Sequence, residues 1–195
     1  QPLLAWYPLY ARDLPWRHTQ EPYRIWLSEI MLQQTRVEAV KNYYARFLET
    51  FPDIAALAAA EQDQVNKCWE GLGYYSRAAN LRKAAQTIQE QYGGVFPRTW
   101  EEVRGLAGVG DYTAGAVCSI CYGLPTPAAD GNVLRVAARV MNHFCEIDRP
   151  EQKAAVTALL RQVYLDNPEH CGTLTQAFME IGATVCVPNG QPHCE

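Results

Sequence analysis

Charge is scarce in this sequence. Charged residues make up 19% of its 195 positions, and 17 Lys and Arg against 21 Asp and Glu leave a formal net charge of −4. That balance argues against a nucleic-acid partner held by bulk positive charge. No apolar run reaches the roughly 20 residues that a membrane-spanning helix needs. The opening Gln1-Pro2-Leu3-Leu4-Ala5-Trp6 lacks the basic-then-apolar layout of a secretory signal. The seven cysteines, Cys68, Cys118, Cys121, Cys145, Cys171, Cys186 and Cys194, are an odd set without a secretion signal, so reduced thiols or metal ligands fit better than a disulfide framework. No low-complexity linker divides the chain, and no period-two strand with a hairpin turn is present. These absences leave a soluble intracellular protein, without membrane association. Its hydrophobic fraction of 48% is enough to pack one large domain or two small ones.

Helical spacing is abundant. Leu81, Ala84, Ala85 and Ile88 recur on one face, with Arg82, Lys83 and Gln86 between them, and Val156, Leu159, Leu160 and Val163 repeat the pattern. Trp26, Ile30 and Gln33-Gln34 fall on another expected helix, which Pro22 is placed to open. Phe51-Pro52-Asp53, Tyr92-Gly93-Gly94, Gly108-Val109-Gly110, Leu124-Pro125-Thr126-Pro127 and Asn167-Pro168 each mark a short helix–helix connection. The expected fold class is all-α.

Four stretches have the residue types that chemistry needs, and each also has an ordinary structural use. In Leu106-Ala107-Gly108-Val109-Gly110-Asp111-Tyr112-Thr113, two glycines precede a helix start, where exposed N–H groups and partial positive charge suit a phosphate; a plain helix–helix turn fits as well. Asp130, in Asp130-Gly131-Asn132-Val133, follows a Pro-rich loop and opens a helix; it is either an N-cap or a carboxylate facing a cleft. Glu29, within Trp26-Leu27-Ser28-Glu29-Ile30-Met31-Leu32, is a helix-surface glutamate or an acid whose protonated form desolvation favours, as a general acid requires. Gln33-Gln34-Thr35 after it can read base edges or simply end the helix. Gly71-Leu72-Gly73-Tyr74-Tyr75-Ser76-Arg77 suits an aromatic wedge beside a basic helix, or core aromatics.

Two stretches are free of acids: 71–89, with Arg77, Arg82 and Lys83, and 131–145, with Arg135 and Arg139. They are local basic patches or ordinary solvated faces. Cys118-Ser119-Ile120-Cys121 has metal-like spacing but sits in an apolar helix without a second pair, and so reads as buried thiols.

Taken in order, these strings resemble the adenine DNA glycosylases of the MutY type, in the endonuclease III superfamily of helix-hairpin-helix glycosylases. The resemblance runs from Leu14-Pro15-Trp16 to Cys194 and closes on Met179-Glu180-Ile181-Gly182-Ala183-Thr184-Val185-Cys186. It implies a two-lobed helix-hairpin-helix fold. A six-helix lobe would span 18–122, a second helical lobe would join 1–17 to 123–195, and DNA would lie across a cleft where Glu29 and Asp130 meet.

It also implies roles. Glu29 would protonate adenine and later activate water, and Asp130 would stay ionised and stabilise the oxocarbenium-like sugar, the two-carboxylate logic of glycoside cleavage. Asn132 and Tyr112 would position Asp130 and the sugar. Tyr74 would wedge into the base stack as adenine is extruded. Gln33, Gln34, Thr35, Arg77, Gly108, Gly110 and Thr113 would contact DNA. The partner would be double-stranded DNA with adenine opposite 8-oxoguanine or guanine, bound by a monomer.

Lyases of the superfamily carry a lysine where Tyr112 stands, and a tyrosine cannot form their Schiff base. A hydrolase leaving an abasic site is therefore expected rather than an abasic-site lyase; Glu29 with Gln33-Gln34-Thr35 argues against a thymine-mismatch glycosylase, and Glu29 together with Asp130 against a DNA-binding module without activity. The family has Pro where Ala107 stands. The resemblance further implies a [4Fe-4S] cluster. Of its four cysteine ligands this sequence offers Cys186 and Cys194, one residue farther apart than in the family, so the ligand set is incomplete.

Overall fold

A computed structural model describes residues 2–142 and 149–194. Cys145, at the end of the second acid-free stretch, lies outside the described residues. The helices are α1 Pro2–Tyr10, α2 Pro22–Leu32, α3 Val37–Thr50, α4 Ile54–Ala59, α5 Gln62–Trp69, α6 Ser76–Gln91, α7 Trp100–Arg104, α8 Asp111–Tyr122, α9 Gly131–Val140, α10 Pro150–Leu165 and α11 Cys171–Thr184. No strand occurs among the described residues, and the chain is all-α as its periodicity predicts. No helix among them is long and apolar enough to cross a membrane. Two compact units form, one of Leu14–Thr113 and one of Gln1–Asp13 with Ala114–Glu195.

In the unit Leu14–Thr113, α2 is the central helix. Pro22 occupies its first position, where a missing N–H is harmless. The Glu21 carboxylate caps it, accepting from the N–H groups of Tyr23 at 3.0 Å and Arg24 at 2.9 Å. Every residue from Ile25 to Met31 is buried, as in a helix enclosed on all sides. It packs on α3 and α6, while α4 and α5 cover α6. Leu81, Ala84, Ala85 and Ile88 form the buried face of α6 as expected. Phe47 sits between Phe51 and Trp69, with ring centroids at 5.0 and 6.0 Å.

In the other unit, α1 and α9 pack on α11, and α10 packs on α9. Val156 and Leu160 join Ala129, Val133 and Leu134 in one apolar cluster. Leu159, expected on the same face, is 43% exposed. The buried row of α10 steps by four, through Val156, Leu160 and Tyr164, and leaves Leu159 off its edge. Glu180, on α11, is wholly buried. The Arg12 guanidinium grips it at both oxygens, at 2.8 and 2.9 Å, and the Arg12 backbone N–H adds a third bond at 2.9 Å. A charge this deep persists only when paired and hydrogen-bonded in this way.

Candidate functional site

Glu29 lies in the last turn of α2 and is 5% exposed, so it is no surface glutamate. The helix ends three residues later. Gln33, expected within the helix with Gln34, is instead its C-cap, and Gln34 lies beyond it in the left-handed region at φ 56°. Few residues other than glycine take that conformation, and it carries strain.

The loop before α6 repeats this feature at Tyr74, with φ 48°, directly after Gly73 at φ 71°. Tyr74 and Tyr75 are 61% and 47% exposed, so they are not core aromatics. Trp69 lies beneath this loop, its indole N–H donating to the Gly73 carbonyl at 3.1 Å.

Arg77 joins these two turns. Expected at the DNA, it is buried, and its guanidinium is occupied internally. Nη1 donates to the carbonyls of Ile30, Met31 and Gln33 at 2.5–3.1 Å. Nη2 donates to Thr35 Oγ1 at 3.1 Å and to the carbonyls of Leu72 and Gly73 at 3.1 and 3.2 Å. The charge meets the carbonyl end of α2, where the helix dipole favours a cation. Its Cζ also lies 5.3 Å from the Trp69 ring centroid and 5.5 Å from that of Tyr74. Burial pulls its pKa below the ordinary guanidinium value.

The helix-hairpin-helix element is α7, the turn 105–110 and the start of α8. Gly108 has φ 74°, and a Cβ on it would come within 2.7 Å of Asn80 Cβ, so the turn lies directly on α6. A Cβ at Gly110 would meet nothing within 4 Å, which leaves the approach to the first turn of α8 open there. Arg104 braces the hairpin through Asp111 Oδ1 and the Val109 carbonyl. Thr113 is buried and accepts a long hydrogen bond, 3.5 Å, from Gln33 Nε2. Tyr112 is half-buried in the same turn.

In the other unit, Asp130 is the N-cap of α9, with Oδ1 accepting from the Val133 N–H at 2.8 Å. Its second oxygen, Oδ2, accepts from Asn132 Nδ2 at 2.8 Å. Asn132 Oδ1 in turn accepts from Arg135 Nη2 at 2.9 Å. Arg135 is anchored on the far end of α11, donating to the carbonyls of Gly182 at 2.8 Å and Cys186 at 3.1 Å. A Cβ on Gly182 would lie 2.7 Å from Asn132 Cβ, so glycine is what lets α11 come this near. The support given by Arg135 and Gly182 was missed in the sequence. Only the helical step of three from Asn132 to Arg135 hints at it.

The acid-free stretches are not free positive surfaces. Arg77, Arg82, Arg135 and Arg139 all donate to backbone carbonyls, Arg82 to Ala60 and Arg139 to Val187. Lys83 alone among the named cations of the first stretch is exposed. Cys118 is buried on α8, whereas Cys121 is half-buried.

Cys186 is buried, with its Sγ accepting from Arg139 Nη1 at 3.2 Å, and Cys194 is exposed. Among the described residues, no three of His, Cys, Asp or Glu gather as a metal-holding group. Two thiols do not make the four-ligand set of a [4Fe-4S] cluster. The described residues therefore do not fit the cluster by themselves.

Residues 27–163 match the family described as HhH-GPD superfamily base excision DNA repair protein. The adenine DNA glycosylase of Homo sapiens is 43% identical over 98% of this chain, and that of Mus musculus 42% over 98%. The matches cover 36% and 38% of those proteins, so the chain spans little more than a third of the length of these curated relatives. A solved thermostable thymine-DNA glycosylase superposes with a TM-score of 0.86 at 27% identity, over 98% of this chain and 87% of that one. The observed helix-hairpin-helix glycosylase fold is the one the motifs led us to expect.

Proposed function

The chain belongs to the HhH-GPD superfamily of base excision DNA repair proteins, and from that premise we propose that it hydrolyses the N-glycosidic bond of adenine mispaired with 8-oxoguanine or guanine in double-stranded DNA. Glu29 carries this reading. A carboxyl 5% exposed within an apolar helix is held against its desolvation cost, which marks it for chemistry. The similarity to adenine DNA glycosylases over nearly the whole chain supports adenine as the base.

In this mechanism Glu29 delivers a proton to adenine N7, so that the C1′–N9 bond breaks with the electron pair leaving on a neutral base. The Asp130 carboxylate stabilises the positive charge that develops on the sugar, and Asn132 fixes its direction. Water then adds to C1′ and gives up a proton to the Glu29 carboxylate, which restores the acid and leaves an abasic site. Tyr112 has no amine to form a Schiff base, so strand cleavage is not part of the reaction. Tyr74 fills the stack vacated by the extruded adenine, Gln33 and Gln34 face the opposing base, and the hairpin at Gly108 and Gly110 offers backbone N–H groups to a phosphate. The protein acts as a monomer.

The test is a duplex with one adenine opposite 8-oxoguanine, incubated with the chain and then treated with alkali. Alkali-dependent scission at adenine is the expected result. Scission without alkali would indicate a lyase. Release of thymine from a G:T duplex would move the assignment toward the thymine-DNA glycosylase it also resembles. Binding without release would leave a DNA-binding module.

A further inference from the structure

Among the described residues, three non-glycine residues have positive φ: Gln34, Tyr74 and Asn142. The guanidinium of Arg77 holds the neighbours of the first two. It binds Gln33 O and Thr35 Oγ1, on either side of Gln34, and Leu72 O and Gly73 O, just before Tyr74. We propose that Arg77 is a positioning residue that fixes both strained turns at once, so that Gln34 and Tyr74 are presented to DNA as one preorganised unit rather than as two independent loops. This inference rests on the proposed glycosylase function for what the unit contacts, though not for the coupling itself.

The chemistry of the side chain supports this role. Six acceptors from the stretches 30–35 and 72–73 surround the two terminal nitrogens, an arrangement that a planar fork reaches and a point charge does not. Its burial removes it from any phosphate, and its contacts with Trp69 and Tyr74 press the fork against the second turn. A side chain displaced by about 1 Å can slow an enzyme on the order of 10²-fold, so a residue that touches no substrate can still set the rate through the turns it holds.

The test uses R77K and R77Q in the full chain, first without DNA. Hydrogen–deuterium exchange at residues 32–36 and 71–76 should rise in both segments together in either variant, with exchange in α3 and α4 unchanged. Loosening of only one segment, or of neither, would overturn the coupling, and so would global unfolding of R77K, because Arg77 would then be a general stability residue.

A double-mutant cycle on DNA gives the second readout. Adenine release by R77K should fall about as far as that by Y74A, and the double variant should fall no farther than either. Additive losses would contradict the proposal. If the wild-type chain released no adenine, the proposed function would fail while the exchange result still judged the clamp.

Discussion

Asn132 donates to one oxygen of Asp130 at 2.8 Å while the Val133 N–H holds the other at 2.8 Å, so the carboxylate that caps α9 is fixed at both of its oxygens. One bond is a helix cap and the other comes from a side chain. The two functions can therefore be separated. Asn132→Ala keeps the cap but frees Oδ2. It should slow adenine release by on the order of 10²-fold, with a melting temperature within a few degrees of wild type. Single-turnover kinetics alongside a thermal melt measure both.

Gly182, on α11, bears on the same carboxylate only through Asn132. A methyl group there would be forced onto Asn132 Cβ, 2.7 Å away. Gly182→Ala should lower the rate in the same direction as Asn132→Ala and destabilise by about 1–3 kcal/mol through overpacking. In the double variant the two rate losses should not add, because both act through the Asn132 side chain. Additive losses would separate Gly182 from Asp130.

Stability of the unit that carries α11 depends on Arg12. Removing its guanidinium leaves the Glu180 carboxylate buried without its bidentate partner. Arg12→Ala should cost about 3 kcal/mol, the low end for an orphaned buried charge because the Arg12 side chain is itself 38% exposed. Urea unfolding of the two proteins gives the difference directly.

The fold was largely legible in the sequence. Pro22 and Asp130 mark helix starts that the structure confirms, the latter as a side-chain cap, and the step of three and four in Leu81 to Ile88 gives the buried face of α6. The burial of Glu29 was not legible. On a helix enclosed on all sides nearly every position is apolar, so periodicity cannot say which way one acid points. Arg77, Arg135 and Arg139 read as surface charge for a related reason. Local charge does not reveal that a guanidinium will turn inward to carbonyls contributed by residues 44 to 48 positions away, as it does at Gln33, Gly182 and Val187.

Alkaline pH should unfold the protein through its buried phenols. Burial pushes Tyr44 and Tyr164 up to about 12 from the ordinary phenol value of 10.0, with Arg24 opposing this at Tyr44 and the hydrogen bond with Thr175 opposing it at Tyr164. A raised folded-state pKa means that this contribution is fully present below pH 10 and is lost as pH rises toward 12, because the unfolded chain gives up those protons first. Stability should fall by up to about 1.4 kcal/mol per pH unit for each phenol in that window. Denaturant melts from pH 9 to 12 would register it, and Tyr164→Phe should flatten part of the slope.

The two acids carry the central claim, and single-turnover release of adenine from an A:8-oxoguanine duplex by Glu29→Gln and Asp130→Asn measures it most directly. Asparagine is itself a good N-cap, so the Asp130 variant keeps its helix start. Each variant should bind the duplex yet release adenine slower by roughly 10²–10⁴-fold. A folded variant of either kind that released adenine at the wild-type rate would contradict the account.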